Sequence, residues 1–250
     1  MCGFLPSFSL SRFYLVNTPH TFYNGCMNKK INHQIELDTI LKNLEKTKNS
    51  SANKPSLLLH ACCAPCSSYV IEYLSAYFDI TLLYYNPNIY PQEEYERRLS
   101  ELKNFLARFP IAIASHITLV VLDYTPQEFY EKIGIEKEPL LAKEAEKGER
   151  CKRCYMFRMK RAYNYAYEHK FDWFTTTLSI SPFKDAEKIN DIGKTLQNIS
   201  GNLGTQFLPS DFKKRNGFKR SLELSAEYGL YRQQYCGCVY SMHSADANTK

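Results

Sequence analysis

A chain of 250 residues with 44% hydrophobic and 23% charged side chains has ordinary globular composition, which excludes disorder, collagen and coiled coil as whole-chain descriptions. Its length suits one to two domains and buries about 70% of the unfolded surface, so no disulfide or metal staple is needed merely to fold. Nine cysteines are too few for a secreted disulfide scaffold, and a net charge of +6 is modest for this size.

The first thirty residues lack a basic start followed by a continuous apolar run, so no secretory signal is expected. Met27 followed by Asn28-Lys29-Lys30 resembles a second start; one reading is that residues 1–26, with Cys2 and Cys26, are a dispensable extension. No stretch reaches the ~18 uncharged apolar residues of a membrane helix. The expected location is the cytoplasm, where thiols stay reduced and clustered cysteines read as metal-binding or catalytic.

Residues 33–47 carry Ile35, Leu37, Ile40, Leu41 and Leu44 near helical spacing, followed by a polar linker to Lys54. The run Leu57-Leu58-Leu59-His60-Ala61 predicts a buried strand, and 65–77 the helix after it. A second strand is expected over 80–85. Pro91 suits the first turn of a helix carrying Tyr95, Leu99, Leu102, Phe105 and Leu106. A third strand follows over 118–122, a short helix over 126–132, and a charged loop or helix edge over 143–149. Then come a helix over 155–169, a strand over 173–177, a helix over 186–198, a short strand over 205–208 and a helix over 217–228. Strands alternating with helices imply an α/β fold with a parallel sheet covered on both faces. Its ligand is expected at the carboxyl ends of the strands. Neither a GxGxxG nor a P-loop is present, so no nucleotide cofactor is expected. The expected organisation is an N-terminal extension and helix over 1–54, one α/β domain over 55–241 and a tail over 242–250.

Seven of the nine cysteines fall into three groups: Cys62, Cys63 and Cys66; Cys151 and Cys154; Cys236 and Cys238. Two C-x-x-C pairs from distant segments supply four thiolates, the number wanted by Zn²⁺ or a [4Fe–4S] cluster. Seven thiols exceed one such centre. A disulfide between Cys236 and Cys238, across a single glycine, would be strained and readily exchanged. Cationic Arg150, Lys152 and Arg153 beside the second pair are expected to lower thiolate pKa values and help hold an anionic cluster. Three readings fit: iron–sulfur redox chemistry, a zinc-stabilised RNA-binding module, and a thiol–disulfide exchanger using Cys63 and Cys66.

Two basic runs adjoin or approach these groups. Arg150, Lys152, Arg153, Arg158, Lys160 and Arg161 form one, and Lys213, Lys214, Arg215, Lys219 and Arg220 the other. With nineteen tyrosines, they suggest a nucleic-acid or phosphate-bearing substrate; the plainer reading is two solvated helix faces.

Several ordered motifs carry a resemblance. They are His60-Ala61-Cys62-Cys63-Ala64-Pro65-Cys66; Tyr85-Asn86-Pro87-Asn88-Ile89-Tyr90-Pro91 with Glu94, Tyr95 and Arg98; Cys151-x-x-Cys154-Tyr155-x-x-Arg158; Thr176 through Asp185; and Phe212-Lys213-Lys214-x-x-Gly217 through Tyr228 to Cys238. Over about residues 55–241 the chain resembles the QueH family of epoxyqueuosine reductases. The resemblance implies a Rossmann-like core related to the ATP-pyrophosphatase superfamily, here without its ATP loop. It implies cobalamin-independent reduction of epoxyqueuosine to queuosine at the wobble position of tRNAs whose anticodons begin with the modified guanosine, with an unidentified electron donor. It implies a [4Fe–4S] cluster on Cys62, Cys63, Cys151 and Cys154, and a redox-active pair at Cys236 and Cys238. Cys66 is left between cluster ligand, ligand of an additional iron, and bystander.

Converting an epoxide to an alkene with loss of water takes two electrons and two protons, so a general acid is needed. His60 and Asp185 are the candidates; the plainer readings are a packed or capping histidine and the cap of the helix from 186. Lys184, Arg158, Arg220 and Arg232 are candidates for tRNA phosphates. Tyr90 and Tyr155 are candidates to stack the splayed wobble base.

Overall fold

Leu57, Leu58 and Leu59 have no solvent exposure, as a strand apolar on both faces requires. In a computed structural model describing residues 31–48, 54–199 and 204–242, they lie in β1 (Ser56–Ala61) at the centre of a five-stranded sheet. The other strands are β2 (Asp79–Tyr84), β3 (Thr118–Val121), β4 (Trp173–Thr176) and β5 (Gln206–Phe207). All neighbours pair in parallel, in the order β3-β2-β1-β4-β5. Residues 1–30, with the expected extension and Cys2 and Cys26, lie outside the described residues, as does almost all of the expected C-terminal tail.

The helices are α1 (His33–Lys48), α2 (Ala64–Leu74), α3 (Gln92–Arg108), α4 (Pro110–Ala114), α5 (Pro126–Ile133), α6 (Glu149–Glu168), α7 (Ala186–Ile199) and α8 (Gly217–Glu227). Short 3₁₀ turns occupy Pro139–Lys143 and Thr177–Ile180. Side chains alternate across a strand, and β1 shows the consequence. Leu57, Leu59 and Ala61 enter one core with Val70 and Leu74 of α2, Leu102 and Phe105 of α3 and Leu224 of α8. Leu58 enters the other, with Met159 and Ala162 of α6 and Ile189 and Ile192 of α7. The sheet is thus flanked by helices on both faces, as a Rossmann-like fold is.

Three sequence expectations are adjusted. Leu37 and Leu41 of α1 are buried in the first core, and Asn32 opens the main compact unit, so this helix is part of the folded body. The helix expected from 155 begins at Glu149, which puts Cys151 and Cys154 on its first turns. Pro110 opens α4 directly after α3, in a place with no predicted element.

Candidate functional site

The strand order reverses beside β1: β2 lies on one side and β4, the fourth strand in sequence, on the other. Such a switch point opens a crevice at the carboxyl ends of the strands. Cys62 and Cys63 follow β1 into it, and Thr177 follows β4. The Thr177 hydroxyl accepts from the Cys62 amide at 3.3 Å and donates to Cys62 Sγ at 3.5 Å. Cys63 is extended, with φ −172°, and α2 starts one residue later; this sharp entry lets adjacent cysteines and Cys66 converge. Cys62 Sγ and Cys63 Sγ are 3.8 Å apart, and the three sulfurs lie within 4.8 Å of one another.

Cys151 and Cys154 share a face of α6 by their spacing. Their electrostatic neighbours are Cys236 and Cys238, brought back over the sheet edge after α8. Arg98 holds that segment. Its Nε pairs with Glu94 at 2.6 Å, while Nη1 and Nη2 donate to the carbonyls of Cys236 (3.3 Å) and Tyr235 (3.5 Å). Gly237 has φ +125°, and a Cβ there would sit 3.0 Å from Arg98 Nη1 and 3.2 Å from Ile89; both conformation and space favour glycine. The Gly237 carbonyl accepts from the Tyr90 amide at 2.7 Å, and Tyr235 donates its hydroxyl to the Tyr90 carbonyl at 2.6 Å. All seven described cysteines are free thiols.

The thiols divide their protons unevenly. Hydrogen bonds from Cys63 and Cys66 hold the Cys62 thiol well below its ordinary range, with the charges of Lys184 and Arg158 assisting. As the donor to Cys62, Cys63 is pushed up to about 11, and Cys66 rises for the same reason. Burial raises Cys151 and lifts Cys154 to about 12. Burial thus outweighs the cationic help expected from Arg150, Lys152 and Arg153: Arg150 does act to lower Cys151, without reversing its rise. Arg153 pairs with Glu138 at 2.9 Å and Glu149 at 3.3 Å, Arg150 donates to the carbonyls of Leu141 and Ala142, and Lys152 is exposed.

Lys184 is a cation shared by the first and third cysteine groups. It is 7% exposed. Burial alone would depress its pKa, but the neighbouring Cys236, Cys62 and Cys66 outweigh burial and hold it above the ordinary lysine value. Lys184, Cys66 and Cys236 line a cavity of about 330 Å³, whose wall also includes Phe183, Arg232 and Gln233.

The remaining candidates separate clearly. His60 is fully buried: its Nε2 donates to the Tyr85 carbonyl at 3.0 Å, and its Nδ1 is 2.8 Å from the Thr176 hydroxyl. Burial, then the charge of Arg158, pushes its pKa down to about 3. A neutral ring with both nitrogens engaged is a core histidine, which argues against a general acid. Asp185 Oδ1 accepts from the amides of Glu187 (3.0 Å) and Lys188 (3.2 Å); it caps α7. Arg158 is 2% exposed and donates to Asn86 Oδ1, so it faces the thiols and cannot meet phosphate at the surface. Arg220 is engaged bidentately by Glu72 at 2.7 and 2.9 Å, and Tyr155 is 2% exposed, out of reach of a stacking base. Arg232, which donates to Ser225 at 3.1 Å, and Tyr90, 44% exposed, remain accessible.

Sequence reasoning left several participants without a role. Asn86 donates to the Ala61 carbonyl at 2.9 Å as well as receiving Arg158. Gln233 Nε2 donates to Cys63 Sγ at 3.3 Å. These residues and Arg98, Thr177 and Phe183 all lie within the motifs, and that membership was their only signal.

A thiolate-bound metal group fits this setting on chemical grounds, with Cys62, Cys63 and Cys66 close enough to share one. The donors are all soft sulfur. Beside them Arg158 Nε, Asn88 Oδ1 and Gln233 Oε1 are buried without a hydrogen-bond partner among the described residues, a pattern that marks a place built to receive something. Residues 57–244 match the family model described as epoxyqueuosine reductase QueH. The chain belongs to this family. It is 40% identical over 215 residues to the epoxyqueuosine reductase QueH of Streptococcus pyogenes serotype M1, covering 86% of this chain and 81% of that protein. It is 36% identical over 218 residues to the Staphylococcus epidermidis protein of the same name, covering 87% and 89%. With the QueH of Thermotoga maritima the identity is 33% over 189 residues, 75% of this chain and 90% of that one. The segments that meet around the cysteines all lie within the matched residues. No helix among the described residues is long and apolar enough to cross a membrane.

Proposed function

We propose that this chain is a cytoplasmic, cobalamin-independent reductase that converts epoxyqueuosine to queuosine at the wobble position of tRNA, drawing on an external electron donor. The activity is assigned to residues 55–241, in a core with kinship to the ATP-pyrophosphatase superfamily. The observation that carries the reading is that Cys66, Cys236 and Lys184 line one cavity, with Cys62 among the thiols whose charge acts on Lys184. Cys62, Cys63, Cys151 and Cys154 would hold a [4Fe–4S] cluster, with Arg158 and Lys184 balancing its negative charge. When bound, the cluster supplies electrons one at a time.

Cys236 and Cys238 supply the two-electron step. Their two thiols lose two electrons and two protons as the S–S bond forms. The substrate takes up both pairs: its epoxide C–O bonds break, a C=C bond forms and the oxygen leaves as water. Gly237 allows the two sulfurs to meet. We assign donation to the departing oxygen to Lys184 rather than His60 or Asp185, because Lys184 lines the cavity together with Cys236 and feels the charge of that thiol. Cys66, within 4.8 Å of Cys62 and Cys63, favours a second reading in which it also holds metal, in the cluster or on an additional iron.

The test is anaerobic reconstitution followed by assay on tRNA carrying epoxyqueuosine, with iron and sulfide counted. The expected result is a brown protein with about four iron and four sulfide per chain that forms queuosine. In Cys238→Ser, turnover is lost and the iron retained. Colourless protein containing stoichiometric zinc would overturn the reading.

A further inference from the structure

Lys184 and Phe183 are neighbours in the chain and opposites in environment. Lys184 is 7% exposed, whereas Phe183 is 67% exposed, above Tyr167 (52%) and Tyr90 (44%). Both line the same cavity. Consecutive Cα atoms are ~3.8 Å apart, so a single step of chain separates a buried cation from an aromatic ring in water. The turn that presents them is fixed. The Phe183 amide donates to Ser181 Oγ at 3.3 Å, the Lys184 amide to the Ser181 carbonyl at 3.2 Å, and Asp185 caps α7. The Phe183 ring stacks on no other aromatic among the described residues, and an exposed phenylalanine contributes little to folding. It is held out at the mouth of a reactive cavity without a packing role.

We propose that Phe183 is the stacking platform for the substrate nucleobase. The inference rests on the reductase reading above and adds the base-binding subsite. The reacting cyclopentane epoxide hangs from a deazaguanine base through a methylamine linker. With the epoxide at Cys236 and Lys184, the base lies one linker outward, at the rim that Phe183 occupies. The cavity of about 330 Å³ is at the small end of ligand sites. It admits a splayed nucleoside and not a stem, so the base must leave its stack, and an aromatic face replaces the lost stacking.

The test measures the affinity of the reconstituted protein for a labelled anticodon stem–loop carrying epoxyqueuosine, together with KM and kcat. Stacking of a base on an aromatic ring predicts that Phe183→Leu binds roughly 5- to 150-fold more weakly. The rise should fall on KM more than on kcat, iron content should be unchanged, and Phe183→Tyr should restore affinity. Leucine keeps the apolar bulk, so a role in packing alone would leave its affinity at the wild-type value. Wild-type affinity in Phe183→Leu, in a preparation whose wild type forms queuosine, overturns the platform and leaves the reductase reading intact. A wild type that neither binds nor reduces this RNA overturns both.

Discussion

Gln233 donates a hydrogen bond from its side-chain nitrogen to the sulfur of Cys63 at 3.3 Å, across 170 residues of chain. Hydrogen bonds to ligating sulfurs are one means by which a protein sets a cluster's reduction potential. Such a bond stabilises the more negative, reduced state. Gln233→Leu is therefore expected to lower the midpoint potential with iron content unchanged, read by anaerobic potentiometric titration. An unchanged midpoint would remove Gln233 from the electronic tuning of the site.

Arg98 joins the Glu94 carboxylate to the Cys236 and Tyr235 carbonyls, and its side chain is 2% exposed against 10% for Glu94. Removing one partner of a buried pair strands the other charge, at a cost of about 3–5 kcal/mol. Arg98→Met should destabilise the protein by that order in urea unfolding. Alkylation of Cys238, now on a loosened segment, should also become faster in the folded protein. A stable variant with unaltered thiol reactivity would contradict the role assigned to Arg98.

Asp185 separates capping from proton donation. Asparagine caps a helix about as well as aspartate, whereas alanine costs about 0.5–2 kcal/mol. Asp185→Asn should keep both stability and turnover, and Asp185→Ala should lose stability of that order while the folded fraction keeps its kcat. Loss of turnover in a stable Asp185→Asn would restore the carboxyl to the chemistry.

The strands were readable because a central parallel strand is apolar on both faces: Leu57-Leu58-Leu59 needs no other context. The cysteines were readable because metal and redox chemistry demand that residue type at short spacings. The start of α6 was hidden because Arg150 looks like surface. It is 3% exposed, folded under the carbonyls of Leu141 and Ala142. The same helix misled the substrate contacts. Tyr155, Arg158, Met159, Ala162 and Ala166 share its buried face, and which face of a basic helix turns inward depends on its neighbours. Arg98, Thr177 and Gln233 act on residues more than a hundred positions away, which no local pattern encodes.

Lys184 provides the sharpest test of the proton path. It is the buried cation that faces Cys62, Cys66 and Cys236 at once and also lines the cavity. His60 is sealed between Thr176 and Tyr85, so it offers no substitute. A positioned proton donor contributes roughly 10²–10⁴-fold to rate, and Lys184→Met should lower single-turnover rates by that order at saturating tRNA. Because lysine is not among the thiolate donors, iron and sulfide content should stay at the wild-type level. A lysine needed only to balance charge would be replaceable by arginine, so Lys184→Arg should recover little of the rate if proton donation from this position is what matters. Full activity in Lys184→Met would return the search for the proton donor to the other polar groups of the cavity wall.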